Sequence, residues 1–175
     1  MKKVVLLLIA LILIPLFSLS QNLEKLDYIS PVHNGLVAIK KDGQWAFIDT
    51  QGDLVVDFRT DLVLTTFGKI NYPIFESNRC LITQNKDGIP YYGYIDKTGK
   101  TVIAPQFLNA MPFNNNTAIA LELVKVDLGE NEILNKKVYR YKYFEVTIDP
   151  TGQIKTYLTD AVYIGLTPSN LLKAP

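Results

Sequence analysis

Histidine occurs once in this 175-residue chain, at position 33, and cysteine once, at position 80. A single histidine removes multi-histidine metal sites, and a single cysteine removes both an internal disulfide framework and a cysteine zinc cluster. The one nucleophilic pair left is His33–Cys80, in which an imidazole would take the proton of a thiol. Nothing local supports it. Cys80-Leu81-Ile82 reads as a small hydrophobe in an apolar run, and Pro31-Val32-His33-Asn34-Gly35 reads as a loop entering a strand. Asp49, Asp96 and Asp149 invite a calcium or general-acid reading. Each stands before x-x-Gly, however, where an aspartate serves a turn, and no D-x-[DN]-x-[DN]-G loop is present. Asp127, Glu130 and Glu132 are the better candidates for a cation, in a polar segment where solvated charge is the simpler account. No G-x-S-x-G, Walker or G-x-G-x-x-G pattern occurs. These residues predict no enzyme, no cofactor and no metal site.

Two stretches could serve recognition instead. Tyr139, Tyr141 and Tyr143 share one face of a strand, with Arg140 and Lys142 on the other. Such a stripe can stack on sugars or pack a peptide, or it can be core of its own unit. Asn114-Asn115-Asn116-Thr117 contains an N-x-T sequon and reads as a polar turn. The three tyrosines are the candidate binding residues, for an unknown protein or glycan partner. A formal charge of +1 gives no electrostatic footprint for nucleic acid.

The elements that must position these residues come from a repeat. Phe47-Ile48-Asp49-Thr50-Gln51-Gly52 is echoed by Tyr94-Ile95-Asp96-Lys97-Thr98-Gly99 and by Thr147-Ile148-Asp149-Pro150-Thr151-Gly152, at spacings of 47 and 53 residues. Upstream, Leu36-Val37-Ala38-Ile39-Lys40-Lys41-Asp42-Gly43 matches Leu81 to Gly88, and Ala118-Ile119-Ala120-Leu121 opens a longer third version. Asp-Gly between two apolar runs is a hairpin signal, because glycine accepts the positive φ of the turn. Each copy therefore predicts strand, Asp-Gly turn, strand, Asp-x-x-Gly turn, strand. In the first copy the strands fall at Gly35–Lys40, Trp45–Asp49 and Leu54–Phe58. The second gains Ile89 and Pro90 in its first turn and ends its third strand, Thr101–Ile103, near Pro105. The third stretches its hairpin, Leu121–Val126 and Val138–Ile148, around an acidic loop at Asp127–Lys137. Apolar residues on both faces of these strands require neighbouring units to stack. The expectation is an all-β chain of repeated three-stranded antiparallel meanders, about three copies, at 28–62, 75–110 and 111–160, with a tail at 161–175. Two short helical turns are expected outside it, at Leu23–Leu26 and Pro168–Leu172.

Lys2 and Lys3, the apolar run Val4–Phe17 and the small-x-small end Ser18-Leu19-Ser20 predict a signal peptide over residues 1–20. Fourteen helical residues would span about 21 Å, short of the roughly 30 Å hydrocarbon core, so no membrane span is expected after cleavage. Without residues 1–20 the chain keeps 16 basic and 17 acidic side chains. A single domain over 21–175, secreted or periplasmic, is the expectation.

The repeated blocks resemble the WG-repeat family, also called KWG repeats. The first copy carries Gly35-Leu36-Val37-Ala38, Asp42-Gly43-Gln44-Trp45-Ala46-Phe47-Ile48-Asp49 and Gly52 of that pattern. The second carries Asp87-Gly88, Tyr92-Gly93-Tyr94-Ile95-Asp96, Gly99-Lys100 and Val102-Ile103-Ala104-Pro105-Gln106-Phe107. Ala46 replaces the family glycine, Tyr92 its tryptophan, and Glu145-Val146 stands in the Trp-Gly place of the divergent third copy. The resemblance implies a secreted or surface-associated bacterial protein of mostly unassigned function and suggests binding more than catalysis. A structural role in a surface or envelope assembly is the alternative, and a hydrolytic enzyme of unrecognised type the remote one. The family pattern transfers no catalytic residues, because its residues are those of turns and core.

Overall fold

The computed structural model describes residues 26–133 and 135–164, and every structural statement below concerns those residues. The expected signal peptide and the helical turn at Pro168–Leu172 lie outside them, as does the turn at Leu23–Leu26 except for its last residue.

All described elements are strands. The first unit is a four-stranded sheet, β1 (Tyr28–Ile29), β2 (Leu36–Lys41), β3 (Gln44–Asp49) and β4 (Leu54–Arg59), in sequential antiparallel order. A two-stranded hairpin follows, β5 (Thr65–Phe67) and β6 (Ile70–Tyr72). The second unit is β7 (Cys80–Lys86), β8 (Ile89–Ile95) and β9 (Thr101–Phe107). The third is β10 (Asn109–Ala110), β11 (Ala118–Asn131), β12 (Lys136–Ile148) and β13 (Ile154–Tyr157), with β14 (Val162–Ile164) added to β12.

The turns follow from sequence chemistry. Asp42 and Gly43 have φ of 50° and 78°, and Asp87 and Gly88 have 54° and 82°, so both Asp-Gly pairs close two-residue hairpins of the type whose twist suits β-strands. Ile89 and Pro90 do not lengthen the second of these turns, as the sequence suggested. They pair with Lys86 and Asn85 and lengthen the strands. At the other end of each meander Asp49, Asp96 and Asp149 build one and the same turn. Each Oδ1 accepts the backbone N–H two residues on, at 2.9 Å, and the glycine N–H returns to the aspartate carbonyl at 3.2, 3.0 and 2.8 Å. A register shift one residue before each aspartate, at Ile48, Ile95 and Ile148, recurs in all three copies.

Three expectations need correction. β9 does not stop before Pro105 but runs through it to Phe107, because the strand bulges there. The acidic loop at Asp127–Lys137 is mostly ribbon, since Glu130 pairs with Lys137 and Asn131 with Lys136. The third copy, faint in sequence, is a complete meander.

The sheets stack in series, and the contacts repeat. Phe47 meets Phe75 edge-on at 4.8 Å, and Tyr94 meets Phe113 at 4.8 Å. Val56 of the first unit lies 3.4 Å from where a Cβ of Gly99 would stand, and Ile103 of the second lies 3.1 Å from that of Gly152. Each unit thus has a downstream face (Ala38, Phe47 and Val56 in the first, Leu81, Tyr94 and Ile103 in the second) and an upstream face that receives its predecessor. Two cores result, one centred on Phe47, Phe75, Cys80 and Ile95, the other on Tyr94, Ile103, Phe113 and Ile148. The chain also laces the units together. After each third strand it runs beside the first strand of the next unit, Leu62 opposite Ile82 and Ala110 opposite Ala120.

Candidate functional site

Cys80 is 1% exposed, its thiol facing the Leu81 carbonyl at 3.8 Å, and burial pushes its pKa up, away from the thiolate a nucleophile needs. His33 does not serve it. Its Nε2 lies 2.6 Å from Glu76 Oε1, and its ring leans on Phe67 of the β5–β6 hairpin at 5.8 Å. Both partners act at a joint between units, where Asn34 Nδ2 donates to the Phe75 carbonyl at 2.8 Å and to Glu76 Oε2 at 3.2 Å. The hollow beside it, about 500 Å³ and open, is lined by Asn34, Phe75, Glu76, Ser77, Asn78 and Lys97.

The repeated aspartates spend an oxygen on their own turns, as described. Among Asp127, Glu130 and Glu132 no metal site forms: Asp127 Oδ1 accepts the Gly129 N–H at 2.9 Å and Oδ2 lies 3.8 Å from Lys137 Nζ. Among the described residues no group of three His, Cys, Asp or Glu is placed to hold a metal ion.

The tyrosines are placed differently. Beyond Leu121 and Glu145, β11 and β12 leave the stacked sheets as a long ribbon, with Leu123 opposite Tyr143, Lys125 opposite Tyr141 and Asp127 opposite Tyr139. None of the three tyrosines belongs to either core; Tyr139 is 38% exposed and the others are half-buried. Lys125 Nζ sits 3.6 Å above the Tyr139 ring, a cation–π contact that holds the ring in place. β14 flanks them, Val162 opposite Tyr143 and Ile164 opposite Tyr141. The face is therefore three strands wide, with Leu123, Val162 and Ile164 around Tyr143 and Tyr141 and the charged Lys125 and Asp127 on the same side, opposite Tyr141 and Tyr139. On the reverse, Arg140 lies 5.6 Å from the Tyr163 ring and Lys142 5.1 Å from Phe144.

The family model described as WG containing repeat matches residues 25–45 and 92–122. The chain carries WG repeats. No curated protein and no solved structure gives a match. The first WG match ends at Trp45, and the second begins at Tyr92 and runs into β11. Tryptophan and glycine of the motif never stand together here: Trp45 precedes Ala46, and Gly93 follows Tyr92.

Sequence reading took Asn114–Thr117 as a polar turn but missed that such a tight turn recurs before each first strand of these WG repeats. Asn34-Gly35, Ser77-Asn78 and Asn115-Asn116 all have positive φ and are closed by paired flanking residues. Stacking of the turns is visible where the Asn116 N–H reaches Ser77 Oγ at 3.1 Å. The signal was present as Phe75 and Phe113, each two residues ahead of a small polar pair, Ser77-Asn78 and Asn115-Asn116. It was masked in the second copy by the inserted β5–β6 hairpin.

Proposed function

We propose that this WG-repeat protein is an exported, non-catalytic recognition module, acting in a secreted or periplasmic space, and that Tyr139, Tyr141 and Tyr143 contact its partner protein or glycan. The observation that carries the reading is the ribbon itself. The first two repeats form complete sheets with hairpins of six and seven residues a side, so the extension of β11 and β12 is not needed for stacking. Tyrosine supplies broad, rigid contact area with a polar tip at low entropic cost, which is why it is common in protein recognition surfaces. Buried Cys80 and the engaged His33 support the absence of catalysis.

The test is capture of a saturable partner from envelope extract, in parallel with a glycan array, by the purified protein and by a variant with Tyr139, Tyr141 and Tyr143 changed to alanine. Loss of at least about tenfold in affinity, equivalent to roughly 1.4 kcal/mol, is expected for the variant. A partner held equally well by both proteins overturns the assignment to the ribbon. A structural role in an assembly is the second reading, and the exposed apolar residues at the two ends of the stack favour it.

A further inference from the structure

Beyond Leu121 the outer edge of β11 has no neighbouring strand among the described residues. Where β10 still lies beside it, the Leu121 carbonyl accepts the Leu108 N–H at 2.8 Å and the Ile119 carbonyl accepts the Met111 N–H at 2.9 Å. The odd-numbered residues of β11 therefore turn their backbone groups away from β12. The pairing with β12 runs without a shift to Asp127, so the same direction carries on to Leu123, Lys125 and Asp127. Their N–H and C=O groups meet no backbone partner among the described residues. The opposite edge of the ribbon is covered instead, by β14 along Tyr141–Tyr143 of β12. An open edge is a template for another strand, and proteins commonly blunt it with charge or a bulge. β11 carries both: Lys125 and Asp127, then a register shift between Asp127 and Glu130.

The two charges are opposite in sign and two residues apart, which makes the edge selective. A second β11 running antiparallel must set outward-turned residues against outward-turned residues. Centred on Lys125, such a pairing puts lysine on lysine; centred on Asp127, it puts aspartate on aspartate, and like charges directly opposite repel. Centred on Val124, it sets Lys125 against Leu123 and Asp127 against Leu121, which β10 already holds. Centred on Val126, it sets Lys125 of each copy against Asp127 of the other, twice by symmetry. On the reverse face Val126 then meets Val126, and Val124 meets Leu128. Both faces match in this register alone. The shift after Asp127 ends the pairing before Glu122 of one copy reaches Glu130 of the other. Both charges are also available. Asp127 Oδ2 has a long contact of 3.8 Å to the exposed Lys137, and Lys125 rests on the Tyr139 ring without an ion pair among the described residues.

We infer that β11 is a dimer edge: two copies of this chain pair antiparallel through β11, about a two-fold axis at Val126. The sheet then runs β14, β12, β11 and on through β11, β12, β14 of the second copy. That axis stands perpendicular to the sheet, so Tyr139, Tyr141 and Tyr143 of both copies fall on one face. A doubled stripe holds a repetitive partner with avidity. The contact is short, and it is expected to be weak and concentration-dependent. It rests on the edge of β11 and not on the role proposed for the tyrosines.

Disulfide trapping reads the register. Val126 turns its backbone toward β12, so it would form a non-hydrogen-bonded pair with its own copy, with Cα atoms about 4.5 Å apart and within disulfide reach. Val126→Cys is expected to give a covalent dimer on mild oxidation, and Val124→Cys, facing Leu128, is not. Cys80 is 1% exposed and stays out of the reaction. Sedimentation over a wide concentration range reads the charges. Lys125→Asp and Asp127→Lys are each expected to self-associate at least about tenfold more weakly than the parent. An equal mixture of the two is expected to regain the parent's association, because every cross-strand pair then joins opposite charges. Circular dichroism checks that each variant melts with the parent. A parent that stays monomeric, or a Val126→Cys variant that does not cross-link, overturns the inference. Trapping at Val124→Cys as efficient as at Val126→Cys, or a mixture no stronger than its parts, overturns it equally. Partner capture is a separate readout: a monomeric parent that still captures its partner through the tyrosines overturns the pairing and leaves the recognition reading in place.

Discussion

The second and third repeats share the turn before the first strand and the Asp-x-x-Gly turn, and differ at one position in a way that explains the motif. Gly93 of the second repeat stands where the third holds Val146 and the first holds Ala46, each opposite a first-strand residue, Ile82, Ala120 and Ile39. Between Tyr94–Ile103 and Tyr92–Phe107 strand β9 carries two residues more than β8, and Pro105 sits in that bulge, where its missing N–H removes no ladder bond. A Cβ on Gly93 would stand 2.4 Å from the Ile103 oxygen and 2.6 Å from the Pro105 nitrogen. In the first repeat the bulge is one residue, between Trp45–Arg59 and Phe47–Val56, and alanine fits. In the third, Val146–Tyr157 and Thr147–Thr156 follow in register, and valine fits with no exposure. Side-chain size falls as the bulge grows. Glycine and proline of the motif are thus two halves of one feature, and the first and third repeats lost both.

Gly93→Val is the largest way to break this comparison. The obstruction is backbone, which cannot swing aside as a side chain can, so a loss of more than about 4 kcal/mol, or failure to fold, is expected in chemical denaturation. Val146→Gly, the reverse change where no bulge presses, costs a cavity and backbone entropy, about 1–3 kcal/mol. An unchanged midpoint for Gly93→Val would remove the bulge from the explanation. Next in size is the contact between repeats. Phe113→Ala takes a fully buried ring from beneath Tyr94 and is expected to cost about 3–5 kcal/mol, whereas Val32→Ala, its equivalent at the open end, costs under about 0.5 kcal/mol. Equal effects would show that the ends are as closely covered as the joints.

A smaller contrast lies in the Asp-x-x-Gly turns. Gly52 and Gly152 have φ of 93° and 86°, so alanine at either is strained by about 1–2 kcal/mol. At Gly152 the new Cβ also presses Ile103, so Gly152→Ala is expected to lower the melting temperature further than Gly52→Ala.

The parts that were legible in the sequence are those fixed by local chemistry. Asp42-Gly43 and Asp49-x-x-Gly52 name their own turns, because positive φ and an aspartate oxygen over the next N–H groups need no distant partner. The third repeat was faint because its Trp-Gly place, Glu145-Val146, responds to the bulge, and because Thr147 stands where the first two copies hold Phe47 and Tyr94. Strand β14 and the β5–β6 hairpin carry no turn pair of the repeated kind, and Leu62 reaches Ile82 only through tertiary pairing. The tyrosine stripe was legible as one face of a strand. Its position outside the cores was not, since alternation alone is the same for a ribbon and for a buried sheet.

The least effect, and the most specific to the turns, is in acid. The Thr98 and Thr151 hydroxyls donate to Asp96 and Asp149 at 2.6 Å and, with the backbone N–H groups around them, hold both carboxyls below the usual range; Lys155, 2.9 Å from Asp149, adds to the second. A carboxyl with a lower pKa folded than unfolded stabilises the fold above its unfolded value of about 3.9, and that contribution disappears as pH falls through the folded pKa. Thr151→Val removes the largest single cause at Asp149. The variant is therefore expected to be less stable than the parent at pH 7, with the gap narrowing below about pH 4 as pH falls toward the lowered folded pKa of Asp149. The first repeat has Gln51 where the others have threonine, and only backbone N–H groups reach Asp49 Oδ1. Gln51→Thr should add the missing hydroxyl donor, with a small gain in thermal midpoint at pH 7 that fades over the same acid range. A gain that persists undiminished at pH 2 would mean that the hydroxyl acts on the turn's backbone geometry and not through the charge of Asp49.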